Sequence, residues 1–151
     1  MRALLKAIAH EVATAIVVPA LISYRIRSAV IGRDRALEGS TQALAIVPGL
    51  LGQYLRRAFL ARVLAGCHRS AVIGFGTIFS QADARIDENV YVGPRCHLGL
   101  VHVGRHTIVG AGAVVTRPLP DRVVAAGVPA RVVRTRGDNR SSAYYHGRLA
   151  R

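Results

Sequence analysis

Hydrophobic positions over the first 69 residues recur at helical spacing. Leu4, Leu5, Ile8, Val12, Ile16 and Ala20 fall about a turn apart and predict a helix. Its uncharged stretch, Ala13–Tyr24, is interrupted by Pro19 and preceded by His10 and Glu11. It reaches about half of the roughly 20 residues a spanning helix needs. It also lacks the cleavage site of a secretory signal. A helix lying in a membrane interface fits better. A second apolar run, Ala43–Leu51, follows Ser40 and Thr41, both N-cap candidates, and should break at Pro48-Gly49. Leu55, Phe59 and Val63 then line one stripe beside Arg56, Arg57 and Arg62, a basic amphipathic helix. Such a helix either covers the end of the next domain or touches lipid.

From about Ser70 the period changes. Ile86, Val92 and Leu98 are six residues apart, as are Val103, Val109 and Val115, and small or acidic residues follow them (Asp87, Gly93, Gly99, Gly104, Gly110). Val90, Cys96, His102, Thr107, Ala113 and Leu119 stand four residues after each. A six-residue period fits neither a helix nor a hairpin; it predicts a solenoid of short strands with an inward aliphatic column. The interval Leu98–Val103 is five residues, a slip in the inward set. On this count His102 falls at a corner, packed in the core, and fewer than three full coils are expected. Pro118-Leu119-Pro120-Asp121 should end the coil, Val123–Ala126 reads as a last strand, and Gly127–Arg131 turns the chain away. The expected organisation is a helical segment over 1–69, a solenoid domain over 70–134 and a flexible basic tail over 135–151.

Composition adds a partner class. Twenty-one Lys+Arg against eight Asp+Glu give a formal charge of +13, which favours an anionic lipid surface or a phosphate-bearing ligand. No nucleic-acid-binding motif accompanies the charge, so nucleic acid is not expected. Cys67 and Cys96 have no metal-finger spacing and read as small buried residues.

The stretch Val109-Gly-Ala-Gly-Ala-Val-Val-Thr-Arg117, then Pro118-Leu-Pro-Asp-Arg122, then Val124-Ala-Ala-Gly-Val-Pro-Ala-Arg131 resembles the closing signature of bacterial hexapeptide-repeat acyltransferases. Among these, the capsule and exopolysaccharide O-acetyltransferases look most similar. The resemblance implies a mainly β fold: a short left-handed parallel β-helix, here preceded by N-terminal α-helices. It also implies a homotrimer in which acetyl-CoA, or another acyl-CoA, lies between neighbouring coils. The pantetheine arm would run along Gly110, Ala111, Gly112 and Ala113, with Arg117, Arg131 and Arg134 near the nucleotide phosphates. No metal is expected.

Family chemistry uses a histidine as general base, normally in a Thr-His or Asp-His step well ahead of the closing signature. That step is missing here, and His97 and His102 stand in as candidates, with His106 on a turn. The five-residue interval suggests a shortened form, with coils lost at about Leu98–His106. The function expected is therefore CoA-dependent O-acylation of a sugar or polysaccharide precursor, intact or impaired in a shortened chain, in the cytoplasm or at the inner membrane face. The alternatives are a non-catalytic remnant acting as a membrane-binding scaffold and, third, a γ-type carbonic anhydrase with zinc on His97, His102 and His106.

Overall fold

The computed structural model describes residues 2–137, with side chains described from Glu11 onward; the predicted basic tail lies mostly outside the described residues. Helix α1 spans Arg2–Ile31, α2 Arg33–Ala45 and α3 Gly49–Val63. Pro19 does not interrupt α1, contrary to expectation. Its ring lies on the exposed face, where the carbonyl deprived of a partner can meet water. Gly32, at φ 88°, makes the turn into α2 with a backbone conformation that other residues rarely adopt. The expected break at Pro48-Gly49 is present, since Pro48 is the N-cap of α3. Ser40 and Thr41 are not N-caps. Both lie inside α2, where Ser40 Oγ donates back to the Ala36 carbonyl at 2.7 Å.

After α3, nine two-residue strands wind around a triangular prism. Face A carries β1 (Gly66–Cys67), β4 (Arg85–Ile86) and β7 (His102–Val103). Face B carries β2 (Val72–Ile73), β5 (Tyr91–Val92) and β8 (Ile108–Val109), and face C carries β3 (Ile78–Phe79), β6 (His97–Leu98) and β9 (Val114–Val115). All pairings among the nine are parallel. In each strand from β2 to β9 the second residue is buried, so Ile73, Val92 and Val109 stack on one face and Phe79, Leu98 and Val115 on another. A β-helix core is a set of such columns, and its stability grows with each coil added.

The coil does not end at Pro118-Leu119-Pro120-Asp121. Leu119 forms a parallel bridge to Val103, and β10 (Val123–Ala126) pairs in parallel with β8. Three complete coils and the start of a fourth are therefore present, more than expected. Residues 127–130 do turn the chain, but it stays against the solenoid. β11 (Arg131–Thr135) returns antiparallel along β10 as an edge strand.

The five-residue interval has a local explanation. Passing from face C to face A takes seven residues from Phe79 to Ile86, five from Leu98 to Val103 and four from Val115 to Leu119. The variation is confined to this corner, and pairing above and below it continues: His97 pairs with Val114 and Arg85 with His102. The slip is absorbed with Val101, not His102, as the buried residue there.

The helices close the starting end of the prism. The first coil has no coil beneath it, so its polar backbone groups need other partners. Asp34 Oδ1 accepts the Ala82 N–H at 2.9 Å, and Thr41 Oγ1 accepts the Phe79 N–H at 3.2 Å. The Gly76 N–H donates to the Ala45 carbonyl at 3.0 Å. Arg56, itself only 2% exposed, donates from Nε to the Ile73 carbonyl at 3.2 Å. Its Nη1 donates to the carbonyls of Leu44 at 3.1 Å and Val47 at 2.8 Å.

Candidate active site

His102 opens β7 next to inward Val103, and its side chain therefore points out of face A, not into the core as its sequence position implied. One strand below, Asp87 directly follows inward Ile86 and also points outward. Register brings them together, because Arg85 pairs with His102 and Ile86 with Val103. His102 Nε2 lies 2.9 Å from Asp87 Oδ2, with the imidazole about half exposed. An ionised Asp87 accepts from Nε2–H, which fixes the tautomer and leaves Nδ1 as the basic nitrogen. Sequence reasoning missed Asp87. The available signal was an acid in a slot that Gly93, Gly99, Gly104 and Gly110 fill in other hexapeptides.

The other histidines are placed differently. His106 sits at the corner after β7 with φ 57°; its Nε2 is 3.7 Å from Glu88 Oε1, and its carbonyl accepts Arg136 Nη1 at 2.6 Å. His97 faces outward, half-buried, on face C. The three imidazoles thus leave a face, a corner and a different face, and do not converge. No group of three or more potential metal ligands is found among the described residues.

The Gly-Ala-Gly-Ala turn forms the corner between faces B and C. The Gly110 N–H donates to the Ala125 carbonyl at 2.8 Å and the Gly112 N–H to the Pro94 carbonyl at 2.9 Å, so both amides are engaged within the solenoid. Ala113 is fully buried and faces the core. What this corner presents to a ligand is Ala111 and Gly112, both exposed, and a Cβ at residue 112 would meet nothing within 4 Å. Coils pack tightly just below, where a Cβ on Gly93 would stand 2.8 Å from the Ala111 nitrogen.

Of the candidate arginines, Arg131 belongs to this corner. It pairs with Ala126, whose Cβ would lie 3.0 Å from a Cβ built on Gly110. Arg134 pairs with Val124 at the far end of β10, towards the corner between faces A and B. Arg117 follows β9 at the corner between faces C and A. All three are exposed. Cys96 lies buried behind the turn, its Sγ 3.1 Å from the Gly110 carbonyl, and burial raises its thiol pKa. Burial likewise pushes the half-buried Cys67 thiol up to about 12, against a smaller opposing effect of Arg57.

A prism whose corner between B and C lies opposite face A cannot bring Arg131 and Gly112 onto His102 within one chain. A single copy holds the His102–Asp87 pair on one side and the exposed Ala111-Gly112 corner on the other.

Parallel two-residue strands on a six-residue period, closed by this signature, define a hexapeptide-repeat β-helix. Comparison with known proteins gives its relatives. No family profile matches the chain. It is 41% identical over 64 residues to a galactoside O-acetyltransferase of Lactococcus lactis, a match covering 42% of this chain and 31% of that protein. It is 40% identical over 70 residues to a serine acetyltransferase of Salmonella typhimurium, covering 46% of this chain and 26% of that protein. The match thus spans less than a third of either relative. A solved hexapeptide-repeat acetyltransferase of Vibrio cholerae, complexed with acetyl coenzyme A, is 16% identical with a TM-score of 0.41, over 74% of this chain and 92% of that one. Over this stretch the chain is similar to these acetyltransferases, and its β-helix is of the hexapeptide-repeat kind.

Proposed function

We propose that the chain is a CoA-dependent O-acyltransferase whose general base is His102, acting on a hydroxyl of a sugar or polysaccharide precursor as a homotrimer. The observation that carries the reading is the 2.9 Å contact between His102 and Asp87 on a β-helix whose relatives are acetyltransferases. His102 Nδ1 takes the proton from the acceptor hydroxyl as its oxygen attacks the thioester carbonyl carbon. A tetrahedral oxyanion forms and collapses, the C–S bond breaks, and the imidazolium returns its proton to the departing thiolate. The products are an ester and free CoA. Asp87 holds the imidazole in the tautomer that accepts the proton and stabilises the imidazolium. Acyl-CoA would lie along the exposed Ala111-Gly112 corner with Arg131 near its phosphates, a guanidinium being suited to bidentate phosphate contacts. The galactoside acetyltransferase relative supports a sugar hydroxyl as acceptor.

The test measures CoA thiol release from acetyl-CoA with a panel of galactosides and oligosaccharides. His102→Ala is expected to lower kcat by about 10²- to 10⁴-fold, the range for one general base. In parallel, acetyl-CoA should raise the melting temperature saturably, and Arg131→Ala should weaken that rise. Activity unchanged in His102→Ala would reject this base. No release and no thermal shift at millimolar acetyl-CoA would replace the enzyme with a non-catalytic scaffold.

A further inference from the structure

The outer face of α1 is apolar and uncovered. Ala13, Val17 and Tyr24 are buried against α2 and α3, while Val12, Ile16, Ile22, Ile26 and Val30 on the opposite side are each more than half exposed. From Val12 to Val30 the helix rises roughly 27 Å at about 1.5 Å per residue. A continuous apolar strip of that length is far more than scattered surface residues present. The stretch Glu11–Ile31, 21 residues, is long and apolar enough to cross a membrane, yet only 11% of its apolar window is buried inside the protein.

Charge and packing select the occupant. Arg25, Arg27, Arg33 and Arg35 cluster at the end of α1 and the start of α2, with Asp34 the lone acid among them. A second copy of this chain would bring the same cations, and the same +13, against the strip. An acidic lipid surface complements both its apolar and its cationic parts. A spanning arrangement is disfavoured because the inner face of α1 is taken: Tyr24 packs edge-on to Phe59 of α3 at 5.8 Å, and Arg62 Nη2 donates to Thr14 Oγ1 at 3.2 Å. Drawing α1 across a bilayer would carry Arg56, Arg57 and Arg62 of α3 into hydrocarbon.

We propose that α1 docks this face in the plane of an anionic phospholipid bilayer, with the helix axis parallel to the membrane and α2 and α3 on the water side. The proposal does not depend on the acyltransferase reading.

Because the chain contains no Trp, single reporters are clean. Val12→Trp, Ile22→Trp and Val30→Trp in the full chain are mixed with phosphatidylcholine vesicles containing or lacking phosphatidylglycerol, with acyl chains brominated at known depths. The expected result is a blue shift with phosphatidylglycerol only, reduced by salt, with all three reporters quenched best by the same shallow bromines. Ile16→Ser/Ile22→Ser/Ile26→Ser, checked for native circular dichroism, should lower the partition coefficient at least tenfold. Deep quenching at residue 22 with shallow quenching at 12 and 30 would overturn the in-plane arrangement in favour of a spanning one. Vesicle binding that is absent, or unaffected by the triple variant, would overturn the proposal. So would a lipid-free oligomer that the triple variant dissociates, since the face would then join copies of the chain.

Discussion

With Nε2 of His102 held by Asp87, the protonation state of one ring nitrogen is set by a residue that need not touch substrate. Asp87→Asn keeps the shape but replaces one acceptor oxygen by an NH2 donor and removes the charge, so the tautomer is no longer defined. Its kcat should fall by about 10²-fold with KM little changed, at the low end of what a general base contributes. Steady-state kinetics beside His102→Ala check this, and equal losses of kcat in Asp87→Asn and Asp87→Ala would be consistent. The sequence pointed to His102 but placed it in the core, because counting sixes across the short interval at Leu98–Val103 assigns the inward slot one residue late. Asp87 was not found because its partner is one coil away, and only the register of Arg85 with His102 joins them. Cys67 gives a pH signature at the same scale. An unfolded thiol titrates near 8.5, whereas the folded one is pushed up to about 12. The neutral thiol therefore contributes stability below about pH 8.5 that is lost progressively as pH rises towards the folded value. Melting temperature should fall more steeply between about pH 9 and 11 in the native chain than in Cys67→Ala.

At the scale of elements, the solenoid was readable because its determinants are local and repeated: one aliphatic residue and one small residue per face, at fixed spacing. The helices were partly readable. Their stripes were visible, but what they cover was not, since Thr41 and Asp34 meet backbone groups of Phe79 and Ala82 nearly 40 and 50 residues away. The same distance explains why Ser40 and Thr41 resembled caps; their hydroxyls serve the helix interior and the neighbouring coil. Arg56, read as part of a charged stripe, is instead buried, and burial lowers its pKa. Arg56→Leu would strand the carbonyls of Val47 and Ile73, while that of Leu44 keeps the Val47 N–H at 3.4 Å. At about 1–3 kcal/mol for a buried unsatisfied group, partly offset by relaxation, a loss of about 3 kcal/mol is expected. That corresponds to a fall in melting temperature of about 10 °C for a chain of this size, measurable by circular dichroism.

For the whole molecule, the separation of His102 on face A from Gly112 and Arg131 at the opposite corner makes the assembly part of the proposed chemistry. If each site takes its base from one copy and its cofactor corner from the next, two inactive variants can complement. Equal mixing of His102→Ala with Arg131→Ala, unfolded and refolded together, should restore up to about a quarter of native activity, because random pairing puts two intact halves together one time in four. Activity no greater than the sum of the parents would mean that each copy completes its own site. This arrangement was legible only through the family resemblance; neither periodicity nor charge says which faces of a prism meet another chain.

The hydrogen bonds that α2 and α3 make to the first coil have a consequence for polymerisation. A β-helix without an end is a template, since each exposed coil offers the next chain a row of unpaired amides and carbonyls. Asp34, Thr41, Ala45 and Arg56 occupy that row at the starting end. The same contacts that hold the helices in place therefore act as a chain terminator, keeping a repeat sequence suited to fibre growth as a particle of defined length.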